Sequence, residues 1–194
     1  MTKKILVLDG HPATESFCGA LAARYAEAAR KNGHEVRIAK LSDMSFDPDF
    51  EYGSYRNVKP LEPDLEAFWA DLDWSEHFVL AHPLWWGGMP AKLKGLFDRV
   101  LLPGKAFRYV KGKAFPEGLL RGRTSEVLVT ADTPGWFFRL VYGAPIKKEI
   151  RSQILNFCGL KMKAYSWFAS LHGSTPGQRE KMLERAARLG ARAI

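Results

Sequence analysis

The sequence holds only two cysteines, Cys18 and Cys158, in 194 residues. That is too few for a disulfide scaffold or a four-cysteine zinc site, and two reduced thiols in a cytoplasmic protein are the expectation. No apolar run approaches the roughly 20 residues that a membrane helix requires. The opening Met1-Thr2-Lys3-Lys4 before Ile5-Leu6-Val7-Leu8 offers too short an apolar stretch for a secretory leader. Membrane insertion is therefore not expected. Lysine and arginine number 29 against 21 acidic residues, a formal net charge of +8, yet they are dispersed along the chain. Without a basic block, nucleic acid is not the expected partner, and an anionic small molecule is favoured. His34, His77, His82 and His172 fall into no metal-ligand spacing with one another or with carboxylates, so no metal is expected. There is no Gly-x-Ser-x-Gly elbow and no Gly-Lys-Ser or Gly-Lys-Thr phosphate loop. The first turn, Asp9-Gly10-His11-Pro12-Ala13-Thr14, lacks the spaced glycines of a dinucleotide fingerprint.

What remains is the composition of one globular domain over residues 1–194, with 46% hydrophobic and 26% charged residues. Strand and helix signals alternate. Lys4–Asp9, Glu35–Ala39, His77–Ala81, Glu126–Thr130 and Met162–Phe168 read as strands, three of them apolar enough to be buried on both faces. Ser16 caps a helix running to Lys31. Further helices are expected over Asp64–Leu72, after Pro90, over Pro145–Phe157 with Gly159 as its stop, and over Gln178–Leu189. Ser42–Pro63 has no periodicity. This alternation predicts an α/β fold: a flavodoxin-like, doubly wound, five-stranded parallel sheet of order 2-1-3-4-5, with helices on both faces.

In such a sheet, ligands bind beyond the carboxyl ends of the strands where the order reverses, here between the first and third strands. Three loops converge there. The first carries His11, Thr14, Ser16 and Phe17 into the start of a helix, which suits an anion; an ordinary helix cap is the competing reading. The second, Pro83-Leu84-Trp85-Trp86-Gly87-Gly88-Met89-Pro90, offers an aromatic wall with glycines that let the backbone approach a planar ring. One of its tryptophans is expected to pack inward. The third, from Thr130 through Ala131, Asp132 and Thr133 to Trp136, Phe137 and Phe138, adds polar groups and aromatics, with Phe138 divided between site and core. A cleft with a ring wall at one end and an anion site at the other suits a flavin. Cys18 lies in the first helical turn, where the helix dipole favours a thiolate, but packing is its expected role.

At these residues the chain resembles a known family. The run from Pro83-Leu84-Trp85-Trp86-Gly87-Gly88 to Asp98-Arg99-Val100 is similar to the NAD(P)H:quinone oxidoreductases of the flavodoxin-like fold, and His11-Pro12, Ser16-Phe17, Phe46-Asp47-Pro48 and Asn156-Phe157-Cys158-Gly159 fit the same pattern. The resemblance implies a flavin enzyme, FAD with FMN as the alternative, and usually a homodimer whose site the partner chain completes. It implies a ping-pong cycle in which NAD(P)H delivers a hydride to the flavin N5 and leaves, and a quinone or related acceptor then takes it in the same slot. His11, Thr14, Ser16, Phe17 and Cys18 match the phosphate side, Pro83, Leu84, Trp85, Trp86 and Gly87 the ring, and Thr130, Ala131, Asp132 and Thr133 the third flavin loop. Phe107, Tyr109, Trp136 and Phe137 fall to the substrate.

The chain also departs from the family. Cys18 stands where the best-known members have asparagine, and Ala131-Asp132-Thr133-Pro134 where they have a Thr-Gly-Gly turn. Their tyrosine and histidine that stabilise reduced flavin have no clear counterpart, and Tyr142 is the substitute. Ancillary subunits of bacterial potassium efflux systems share these motifs, which keeps open a flavin-binding regulator docked to a transporter. A flavodoxin-type electron carrier is the third reading, and the +8 charge argues against it. Residues 50 to 60, or the partner chain, are where a groove for adenosine is expected.

Overall fold

The computed structural model describes residues 2–50 and 58–194. Its main sheet contains β1 (Lys4–Asp9), β2 (Glu35–Lys40), β3 (His77–Pro83), β6 (Thr124–Thr130) and β7 (Lys161–Phe168). The order is β2-β1-β3-β6-β7, and every pairing is parallel. This is the expected 2-1-3-4-5 winding. Its central strands are apolar on both faces because helices cover both: Ile5, Val7 and Val79 enter one core, while Leu6, Leu8, Phe78 and Leu80 enter the other.

On the first face lie α1 (Phe17–Lys31) and α7 (Pro176–Arg192). Ser16 caps α1, its Oγ accepting the Gly19 N–H at 3.0 Å, and Thr175 and Gln178 form a reciprocal capping box on α7. The two helices approach closely at Gly190, where a Cβ would lie 2.1 Å from the Tyr25 carbonyl oxygen. On the other face lie α2 (Pro63–Trp74) and α3 (Ala91–Val100). Arg99, on the buried side of α3, donates to the carbonyls of Asp47 and Pro60 and to the Glu62 carboxylate at 2.7 Å. One guanidinium thus fastens the aperiodic segment onto α3, against which Pro48 also packs at Gly95.

Three features differ from the expectations. A short antiparallel pair, β4 (Phe107–Arg108) and β5 (Glu117–Gly118), follows α3. The third loop is partly helical: Trp136, Phe137 and Phe138 sit on α4 (Gly135–Leu140) rather than on an irregular turn. The helix expected over Pro145–Phe157 is present, but α5 (Pro145–Glu149) widens into a π-helical stretch over Ile150–Leu155 before α6 (Asn156–Cys158). Gly159 ends it at φ +98°, as a left-handed stop requires.

A buried polar chain lies at the amino ends of the strands. The Tyr25 hydroxyl is 3.1 Å from His77 Nε2, and His77 Nδ1 is 2.7 Å from Thr124 Oγ1. Beside it the Glu126 carboxyl is buried without a well-formed hydrogen bond, and burial pushes its pKa up to about 7. The Tyr25 hydroxyl and Ile194 backbone offset only part of that cost.

Candidate flavin-binding cleft

The carboxyl ends of β1, β3 and β6 open into a trough with two connected halves. One half, a cavity of 220 Å³, is lined by His11, Phe17, Cys18, Pro83, Trp85, Thr130 and Leu171. The other, of 590 Å³, is lined by Trp86, Gly87, Thr133, Phe138, Tyr142 and Pro145. Leu84, Ala131 and Asp132 line both. Of the residues expected at a cofactor, twelve therefore face one trough. Thr14 and Ser16 do not line it: Thr14 is exposed on the loop, and the Ser16 oxygen is engaged as the α1 cap.

The first half has the chemistry of an anion cradle. Asp9, the last residue of β1, accepts the His11 N–H at 3.1 Å, which turns the chain sharply; burial holds its carboxyl above the usual carboxylate range. His11 Nδ1 accepts the Ala13 N–H at 3.0 Å, so the neutral ring carries its proton on Nε2 and presents a donor. Among the described residues, the backbone N–H groups from Thr14 to Cys18 have no protein acceptor. Free donors at a helix start suit a phosphate, and of these five residues Phe17 and Cys18 line the first half itself.

The second loop is a two-residue turn. Trp85 and Gly88 exchange both backbone hydrogen bonds at 2.9 Å, and Trp86 and Gly87 between them adopt φ +51° and +79°. This geometry corrects one expectation: neither indole packs inward. Trp85 is 45% exposed and Trp86 wholly exposed, because a turn with both central residues left-handed projects from the sheet end instead of folding over the core. The His11 ring meets the Trp85 indole edge-on, centroids 5.5 Å apart, so the turn and the cradle share one rim. At Gly87 a Cβ would meet nothing, and its left-handed φ is what demands glycine.

The third loop is tied in by two contacts. The Leu84 N–H donates to the Thr130 carbonyl at 2.8 Å, and the Cys18 and Thr130 side chains lie 2.9 Å apart. Cys18 is buried, and burial pushes its thiol up to about 12, which supports the packing role and not a thiolate. Phe138 belongs chiefly to the core, stacked on Trp167 at 4.0 Å. Trp136 and Phe137 line neither half; Phe137 meets Tyr142 edge-on at 5.0 Å. Phe107 and Tyr109 line a separate cleft of 310 Å³ against Phe157 and α3, and neither borders the trough.

Leu171 was not legible as a site residue, since the switch-point argument ignores the connection after β7. The Asp132 carboxylate draws that connection in by accepting the His172 N–H at 2.7 Å. The expected groove for adenosine falls largely on residues 51–57, which lie outside the described residues. Among the described residues, no cluster of potential metal ligands occurs, and no helix is long and apolar enough to cross a membrane.

A doubly wound parallel sheet with a trough at its switch point defines a flavodoxin-like protein. Residues 3–192 match the family of the flavodoxin-like fold, and the chain belongs to that family. Among curated proteins it is 26% identical to an uncharacterised NAD(P)H oxidoreductase of Haemophilus influenzae, over 94% of this chain and 91% of the relative. It is 28% identical to NAD(P)H dehydrogenase [quinone] 1 of Rattus norvegicus, over 94% of this chain and 74% of the relative. Among solved structures, Smu.1420 of Streptococcus mutans superposes with a TM-score of 0.77 at 28% identity, covering 97% of this chain and 98% of that one.

Proposed function

We propose that the protein is a flavin-dependent NAD(P)H:quinone oxidoreductase. The observation that carries the reading is the His11–Trp85 contact, which joins an anion cradle to an indole turn on the rim where such sheets bind ligands. The relatives' names as NAD(P)H oxidoreductase and quinone dehydrogenase support the same chemistry.

A bound flavin supplies the group that accepts a hydride from the donor and passes it to the acceptor. The chain's own task is to hold and orient. The free N–H groups of Thr14 to Cys18 and the His11 Nε2–H are suited to the phosphate side. Leu84, Trp85, Trp86 and the backbone at Gly87 cover the ring and exclude water. Thr130 to Thr133 would supply polar groups at its edge, and Tyr142, on the wall of the larger half, would be the proton donor there. Donor and quinone occupy one slot in turn, a ping-pong order. FAD is the proposed flavin, with FMN the alternative.

A homodimer is part of this reading. Trp136, Leu140, Val141 and Tyr142 are exposed apolar side chains on and just after α4, and Tyr142 among them lines the trough. Phe107 and Tyr109, which lie apart from their own trough, reach an acceptor only in a second copy's slot. None of the relatives reported above carries a transporter name, and nothing in the site favours the ancillary-subunit reading.

Purified protein is expected to be yellow and to bleach on anaerobic addition of NADPH, with parallel double-reciprocal plots against a quinone. Colourless protein that gains no visible absorbance with either FAD or FMN overturns the reading. Mass spectrometry of the flavin released on heating decides between the two.

A further inference from the structure

Beyond the edge strand β7 lies a cavity of 390 Å³, bounded by α4, α5 and, from the middle of α7, Arg185. Three cations converge on it from three helices: Arg139, Lys147 and Arg185. Several cations elsewhere are matched. Arg24 pairs with Glu180, Arg37 with Asp71, Lys94 with Asp98 and Arg123 with Asp73. Among the described residues, Arg139, Lys147 and Arg185 form no ion pair. Part of the positive surplus is therefore gathered, unmatched, around one concavity.

The walls hold these cations in place. Lys147 Nζ stands 5.6 Å over the Tyr165 ring, and Arg185 donates to the Trp167 carbonyl at 3.0 Å, leaving guanidinium N–H groups uncommitted. Tyr165 lines the cavity with its ring, and its hydroxyl is buried away from solvent. Uncommitted guanidinium groups and an ammonium make a donor set for an oxyanion.

We propose that this cavity binds the phosphoryl group of a phosphorylated small molecule. Phe138 is a wall of both this cavity and the larger half of the trough, so a ligand seated here lies next to the slot. Two sources share the chemistry: a phosphate of the nicotinamide dinucleotide donor, or a separate phosphorylated effector. The proposal stands without the flavin reading.

The test is calorimetric titration of the purified full chain with inorganic pyrophosphate at low ionic strength, comparing the wild type with Arg139→Gln/Lys147→Gln and with Tyr165→Phe. Saturable binding that weakens roughly tenfold or more in the double variant is expected, with Tyr165→Phe, which keeps the ring under Lys147, near wild type. The cradle at Thr14–Cys18 uses backbone N–H groups that these substitutions leave alone, so any binding lost belongs to the cavity. Arg139 is exposed, Lys147 and Tyr165 are half-buried, and a thermal melt reports whether each variant's fold is intact. No saturable binding, or equal binding in the folded double variant, overturns the proposal. The source follows from the KM values: a rise for NADPH with NADH unchanged assigns the site to a phosphate of the donor that NADH lacks. Unchanged KM values together with lost pyrophosphate binding assign it to an effector. Failure to bind flavin would leave the calorimetric result intact, so the two readings fail separately.

Discussion

Cys18 Sγ lies 2.9 Å from Thr130 Oγ1, linking the first turn of α1 to the last residue of β6 beneath the trough. With its thiol pushed up to about 12, Cys18 is neutral and acts as a small hydrogen-bonding wedge between two of the three loops. Thr130→Val removes the partner while keeping the shape. It is expected to cost about 1 kcal/mol in urea unfolding and to weaken flavin binding, whereas Cys18→Ser keeps the pair and holds both near wild type. Native protein is also expected to leave Cys18 unmodified by a thiol reagent until it unfolds. Fast modification of native Cys18 would contradict its burial.

Trp86 carries a left-handed φ of +51° and a fully exposed indole. Its side chain contributes nothing to the core, and its backbone strain is of order 1 kcal/mol. Trp86→Gly is therefore expected to raise the unfolding midpoint slightly while lowering flavin affinity, read by absorbance retained after gel filtration. Loss of stability would show that the indole packs in a way the structure does not contain.

Arg99 is 1% exposed and its partner Glu62 about a quarter exposed. Arg99→Met strips the carbonyls of Asp47 and Pro60 of their donor and leaves the carboxylate unmatched, so a loss of about 3 kcal/mol is expected. Arg99→Lys is expected to recover little, because one ammonium cannot span the fork of acceptors. Denaturant titration checks both, and a loss under about 0.5 kcal/mol would mean that the segment is held by other contacts.

Glu126 gives a pH dependence of definite sign. Its folded pKa of about 7 exceeds the ordinary 4.5, so the folded state binds more protons between those values. Its contribution to stability is complete below pH about 4.5, falls as pH rises, and is fully lost above pH about 7. Glu126→Gln is expected to match wild type at the acid end and to exceed it by up to roughly 3 kcal/mol at pH 8. His77 and His82, which burial holds at about 3 and about 4, act in the opposite sense below pH about 6.5. They are common to both proteins and cancel in the difference. A gap that does not grow between pH 5 and 8 would refute the assignment.

The sheet was legible because its central strands are doubly covered and so read as unbroken apolar runs, as in Ile5–Leu8 and Phe78–Ala81. Sequence patterning finds nothing in β4 and β5, since two residues carry no period. It misses α4, whose N-cap is Pro134 with no capping side chain. It cannot reveal the π-helical stretch at Ile150–Leu155, because a change of pitch leaves no compositional mark. At the site, topology alone points to the three loops that line one trough, and the expectation that one of Trp85 and Trp86 packs inward fails because aromatic size suggests burial while turn handedness decides it. The unmatched cations around Tyr165 were invisible for a different reason: Arg139, Lys147 and Arg185 are brought together only by the edge of the sheet.

One guanidinium holds the carbonyls of both Asp47 and Pro60, and the Lys59–Asp47 ion pair closes the same loop beside it. The entropy of closing a ring grows only logarithmically, and doubling its contour adds about 0.6 kcal/mol. An epitope or reporter peptide spliced there should be carried at little thermodynamic penalty, provided Arg99 keeps its grip.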